Sequence, residues 1–222
     1  MRINKYVALA TGLSRRKADA AISQGEVTVN DTIADIGVQV EKGDVVALRG
    51  KHIVVPHTFT TIMLHKPIGY VCSRDGQGSK TIYDLLPATY QNLNPIGRLD
   101  KDSTGLLLLT NNGTLSQSLM HPSSNKTKVY MVTLDKQLLQ EHAQLISGEG
   151  VLLEDGMSRL ELKQYTPRDA TCWWVSMQEG RNRQIRRTFS ALGYTVIRLH
   201  RTQFGEYQLK NLAIGKYKLV TI

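Results

Sequence analysis

The sequence predicts an α+β protein: a small N-terminal module of two helices and a sheet, then a larger domain on a mainly antiparallel mixed sheet flanked by helices. Three observations predict it. Residues 1–50 carry two short stretches of helical periodicity followed by short apolar strands. Beyond residue 60, strand-like runs outnumber helix-like runs and do not alternate with them as βαβ units would. One run, Gly105 to Leu109, has no polar member until Thr110, the pattern of a strand buried on both faces.

In the first module, Ile3, Tyr6, Val7 and Ala10 recur at helical spacing, and Gly12 breaks the pattern. Ser14 is placed as an N-cap for a second helix, Arg15 to Gln24, with Ala18, Ala21 and Ile22 on one face and Gly25 as its stop. Glu26 to Val29 reads as a strand, Asn30-Asp31 as a turn, and Val38 to Val40 and Asp44 to Leu48 as two further strands about a Lys42-Gly43 turn. Residues 50–60 read as a linker, where Pro56 limits regular structure. The domains are expected at 1–55 and 56–222. In the second, strands are expected at Thr61 to Leu64, Asn94 to Leu99, Leu106 to Thr110, Lys128 to Leu134, Arg159 to Tyr165, Cys172 to Met177 and Thr195 to His200. Helices are expected at Thr81 to Leu86, Thr114 to Met120, Lys136 to Ile146 and Asn182 to Leu192.

Composition narrows the function. With 41% hydrophobic and 21% charged residues, 222 residues are globular rather than disordered or fibrous. The longest apolar run, Tyr6 to Ala10, is far short of a membrane span, and no signal-peptide block follows Met1. A soluble cytoplasmic chain is expected, with monomer as the default. Two cysteines, Cys72 and Cys172, exclude a disulfide framework, and no histidine or cysteine pair has metal-ligand spacing. No glycine-rich phosphate loop follows a strand, which disfavours a nucleotide cofactor. Lys and Arg total 28 against 19 acids, a net charge of +9 that points first to nucleic acid.

Arg2, Lys5, Arg15, Arg16 and Lys17 crowd the first seventeen positions, three of them at a helix start where the backbone already attracts anions. Cations there make poor helix design but a good phosphate site. Arg2-Ile3-Asn4-Lys5-Tyr6, Leu13 to Ala18 and Gly25 to Asn30 resemble the alpha-L RNA-binding module of a small-subunit ribosomal protein, over roughly residues 1–50.

Three stretches in the larger domain carry candidate chemistry. In Gly97-Arg98-Leu99-Asp100-Lys101-Asp102-Ser103-Thr104-Gly105, Asp100 stands in a polar turn at the rim of a rigid sheet; spacing alone favours a turn aspartate bonding its own backbone. From Glu179 to Arg201 there are six arginines (181, 183, 186, 187, 198, 201) against one acid. Arg183 and Arg187 share a helical face, and guanidinium suits bidentate phosphate contacts. On Lys128-Val129-Tyr130-Met131-Val132, a strand tyrosine reads first as core packing.

Together these stretches, with Leu64-His65-Lys66-Pro67-Ile68-Gly69-Tyr70-Val71, resemble in order and over nearly the whole chain the RsuA-type pseudouridine synthases of ribosomal RNA. The resemblance implies a cofactor-free isomerisation of uridine. Asp100 is then the essential carboxylate, Tyr130 packs on the base and helps move the C5 proton, and Arg186 pairs with Asp100. Arg98 fills the gap left by the swung-out nucleotide, and Ile185 contacts the substrate. Arg181, Arg183 and Arg187, with Arg2, Lys5, Arg15, Arg16 and Lys17, contact RNA. A carboxylate in a pocket that excludes water needs a cation to stay charged, so a largely buried Asp100–Arg186 pair is expected. Gly97 to Gly113 and Gly180 to Arg187 look closest to large-subunit members. The alternative is a non-catalytic RNA-binding or ribosome-assembly factor, which would have no reason to hold Asp100, Tyr130 and Arg186 together.

Overall fold

The computed structural model describes residues 1–56, 58–121 and 125–220; His57, in the expected linker, lies outside them. Helices α1 (Ile3–Thr11) and α2 (Arg15–Ser23) end and begin as the punctuation predicts. Gly12 turns left-handed, with φ 76°, and the Ser14 side chain accepts a hydrogen bond from the Lys17 N–H. They cover a four-stranded antiparallel sheet of β1 (Val27–Val29), β2 (Thr32–Ile33), β3 (Val46–Leu48) and β4 (Lys51–His52), in the order β2-β1-β3-β4. Asn30 and Asp31 both have positive φ, which suits the β1–β2 turn. Ile3, Val7, Ala18, Ile22, Val27 and Val46 form a core of their own.

Two expectations are corrected here. Residues 38–40 form no strand: Val38 O accepts from the Ile3 N–H and the Val40 N–H donates to Met1 O, so the segment pairs with the N-terminus instead of the sheet. The supposed linker begins as strand, because β4 continues the β3 ladder.

The larger domain is built on one mixed sheet. Its main path joins β11 (Glu161–Thr166), β12 (Asp169–Met177), β8 (Lys128–Leu134), β13 (Val196–Phe204), β7 (Thr104–Thr110), β5 (Thr61–Lys66) and β15 (Tyr217–Leu219). β6 (Asn94–Ile96) also pairs with β7, and β14 (Tyr207–Gln208) with β13. Every pairing is antiparallel except β7 with β13. Strand β7 is buried on both faces as expected: Leu107 and Leu109 enter one core, Leu106 and Leu108 the other. Helices α3 (Gly113–Met120), α4 (Gln140–Ser147) and α5 (Gln184–Ala191) flank the sheet. The strand expected to reach Leu99 stops at Ile96, because Gly97, at φ 72°, swings the chain out of the sheet. Residues expected as a helix at 81–86 form a single 3₁₀ turn, Ile82–Leu85, closed by a capping box between Thr81 and Asp84. A short hairpin, β9 (Val151–Leu153) with β10 (Gly156–Ser158), was unforeseen. Among the described residues, no helix is long and apolar enough to cross a membrane.

The parallel seam carries one titratable histidine. His200 Nδ1 meets Thr104 Oγ1 at 2.8 Å, and its ring lies 5.2 Å from that of His65. Burial, then His65 and Arg198, push His200 down to about 4. The folded chain thus refuses a proton that the unfolded chain accepts, so stability falls as pH drops from about 6.5 to 4 and levels off below. For a half-exposed group this is worth on the order of 1–2 kcal/mol. In urea unfolding at pH 7 and 4.5, His200→Gln should show the smaller loss of stability; equal losses would contradict this.

Candidate active site

The turn after Gly97 is pinned by side chains from β5 and the segment that follows it. Buried Lys66 donates to the carbonyls of Pro67 (3.1 Å), Asp100 (2.9 Å) and Ser103 (2.8 Å). Burial pushes its ammonium below the ordinary lysine range, against the pull of Asp100 and Asp102. The Cys72 thiol contacts both the Leu99 carbonyl (3.3 Å) and the Leu99 N–H (3.4 Å). With its backbone thus held, the Asp100 side chain is free of turn duties and opens on a cleft of about 1310 Å³. Arg98, Asp100, Tyr130, Arg181, Arg183 and Ile185 all line that cleft.

The expected Asp100–Arg186 pair is not what forms. Arg183 Nη1 lies 3.5 Å from Asp100 Oδ2, and the Asp100 side chain is 34% exposed, so the contact is neither with Arg186 nor largely buried. Arg183 also grips Asp102 with both nitrogens, at 3.1 and 2.9 Å. Arg186, 12% exposed, lies behind the loop. It donates to Val196 O (2.7 Å) and Asp102 O (2.9 Å), with Nε 3.2 Å from Asp102 Oδ2. The cause is helical geometry. Arg183 caps α5 with a left-handed φ of 47°, which turns its side chain over both carboxylates, whereas Arg186 sits one turn in, against β13. Asp102, which the sequence did not single out, is therefore the organiser. Burial opposes its charge, but the hydrogen bond from Arg183 and the charges of Arg186 and Arg183 hold its carboxyl below the usual carboxylate range.

Tyr130 is buried on β8 within the main core and reaches the cleft; its hydroxyl makes no hydrogen bond among the described residues. Ile185 is buried at the cleft wall and Arg98 is exposed at its rim. Arg181 and Arg187, expected to reach RNA, serve mainly as staples. Arg181 donates to Asp155 O and Oδ1, Gly156 O and Met157 O, and Arg187 pairs bidentately with Asp155 at 3.1 and 2.7 Å. They tie the β9–β10 hairpin to the start of α5. By contrast, Arg2, Arg15, Arg16 and Lys17 are exposed, Lys5 is half-buried, and none has an ion-pair partner among the described residues. Among those residues, no group of three or more His, Cys, Asp or Glu side chains could hold a metal.

This geometry has counterparts. Residues 60–191 match the family profile described as RNA pseudouridylate synthase, and residues 1–46 match the S4 domain. The ribosomal small subunit pseudouridine synthase A of Pasteurella multocida is 36% identical over 98% of this chain and 95% of its own length. The dual-specificity RNA pseudouridine synthase RluF of Escherichia coli K12 is 34% identical over 100% of this chain and 76% of its own. The ribosomal large subunit pseudouridine synthase B of Xylella fastidiosa is 36% identical over 94% of this chain and 46% of its own. A crystal structure of a pseudouridylate synthase superposes with a TM-score of 0.72 at 32% identity, over 100% of this chain and 96% of that one.

Proposed function

Because the chain belongs to the RNA pseudouridylate synthase family, with an S4 domain in front, we propose that it isomerises a uridine of ribosomal RNA, with Asp100 as the essential carboxylate. In that reaction the N1–C1′ bond breaks, the uracil turns, C5 bonds to C1′, the C5 proton leaves and N1 ends protonated. The observation that carries the reading is the shared cleft: a partly exposed carboxylate, an aromatic hydroxyl and arginines on walls held by the sheet. Asp100 acts at the sugar as nucleophile or base, its charge balanced by Arg183. Extruding the nucleotide costs a few kcal/mol, and stacking on an aromatic ring returns about 1–3 kcal/mol, the part given to Tyr130. Arg98, exposed at the rim, fills the gap. The test is release of tritium from ribosomal RNA transcribed with 5-tritiated uridine, then mapping of pseudouridine in cells lacking the protein. The reading requires a position that goes unmodified only in their absence.

The exposed cations of the N-terminal module are assigned to RNA phosphates. Arg15→Ala, Arg16→Ala and Lys17→Ala combined should weaken RNA binding at least tenfold and reduce the salt slope by about 2–3, one phosphate contact each. A filter-binding titration across salt reads both; an unchanged slope would free these residues from that role.

A further inference from the structure

Arg201 has no part in the arrangement described so far, yet it is built into the cleft. It is 2% exposed on β13 and lines the same cavity as Asp100. Arg201 and Tyr130 are direct partners across the β13–β8 ladder, which puts their side chains on one face at adjacent positions. Arg201 Nε donates to Leu106 O at 2.8 Å, and the guanidinium stands 5.3 Å from the Phe204 ring. Neither terminal nitrogen has a hydrogen-bond acceptor among the described residues, and Nη2 is buried. No carboxylate lies within 4 Å of it among those residues, while Lys66 and Lys128 stand close enough to feel its charge. A buried charge without a partner is destabilising, so the cleft is preset for an electron-rich oxygen.

We propose that Arg201 is a substrate-contacting residue that donates to a carbonyl oxygen of the flipped uracil and holds the negative charge the ring carries once detached. The assignment rests on the uridine-isomerising reading above. The electron pair of the N1–C1′ bond leaves with the ring and spreads onto its oxygens. It returns to C1′ through C5, whose proton passes to solvent while N1 takes one up. Arg201 makes and breaks no covalent bond. A backbone phosphate offers the same oxygen chemistry, but phosphates follow the rim, where Arg98 and Arg183 are exposed, and Arg201 lies on the sheet floor beside Tyr130.

Single-turnover tritium release at saturating RNA, with RNA affinity measured alongside, tests this. Arg201→Met should slow release about 100-fold, the usual loss for one oxyanion donor. Arg201→Lys keeps the stem and charge, so it serves if the methionine variant does not fold. It should be about tenfold slow, since a compact ammonium lacks the rigid planar fork that sets one donor on Leu106 O and aims the others at the base. RNA affinity should stay within about threefold of wild type and the salt slope should be unchanged, whereas the loss of a phosphate contact would lower the slope by about one. A folded variant within threefold of the wild-type rate overturns the assignment. So does weakened binding with a reduced salt slope and a normal saturated rate, the signature of a phosphate contact. If wild type and Asp100→Asn are equally silent, the isomerisation reading itself fails, a result distinct from a defect confined to Arg201.

Discussion

Asp100→Asn should abolish tritium release from 5-tritiated ribosomal RNA, lowering the single-turnover rate by about 10³-fold or more, while RNA affinity changes only a few-fold. The substitution preserves shape and removes the charge proposed to act at the sugar. The turn should survive it, because the backbone at 99–103 is held by Lys66 and Cys72 and not by the Asp100 side chain. Stability should also be nearly unchanged: the carboxylate is one-third exposed, and its nearest guanidinium, on Arg183, keeps both bonds to Asp102. An exposed pair of this kind is worth little to folding, about 0–1 kcal/mol. The expected result is therefore a folded, RNA-binding, inactive protein. Equal tritium release from the variant and wild type would instead favour a chain that only binds RNA.

Gly105→Ala should be the most damaging single-methyl change in the sheet. Gly105, the second residue of β7, stands at φ 112°, and a Cβ there would lie 2.2 Å from the Arg201 carbonyl oxygen and 2.6 Å from its amide nitrogen, contacts with backbone that no side-chain rotation relieves. Strain of about 1–3 kcal/mol from the dihedral and about 1–3 kcal/mol from overpacking combine to roughly 2–6 kcal/mol. That is a large share of a domain's usual 5–15 kcal/mol. Any relief must part β7 from β13, the seam that places the Asp100 turn beside Arg201. Gly113→Ala is the matched control: the new methyl would make ordinary contact with Leu9 at 3.9 Å, so stability should hold or rise slightly. Urea denaturation of both variants decides the point, and equal midpoints would show that the seam yields more easily than its geometry implies.

The elements that periodicity and punctuation predict form closely: both N-terminal helices, the Ser14 cap, β8 at its expected ends, and α3 and α5 within one or two residues of theirs. Misses fall where partners, not local preference, set the structure. Residues 38–40 look like a strand but pair with the chain's own N-terminus. Thr81 to Leu86 has helical spacing but is stopped after one turn, short of Pro87. The β9–β10 hairpin lacks alternation strong enough to see, and arginines from a distant segment fasten it.

Read as a string, these residues place Asp100, Tyr130 and an arginine-rich helix start on one sheet domain behind a basic module, because apolar periodicity and motif order depend on neighbours a few positions apart. Which cation faces which carboxylate was beyond that reading. Arg183 and Arg186 lie three apart on one helix, and both are chemically fit to meet Asp100. The left-handed cap at Arg183, the acceptors around Arg186 and the intervening Asp102 choose between them. The roles of Lys66 and Arg201 lie beyond such a reading for the same reason: a buried charge takes its meaning from carbonyls and rings brought beside it by strands far away in the chain, and local sequence carries no trace of that meeting.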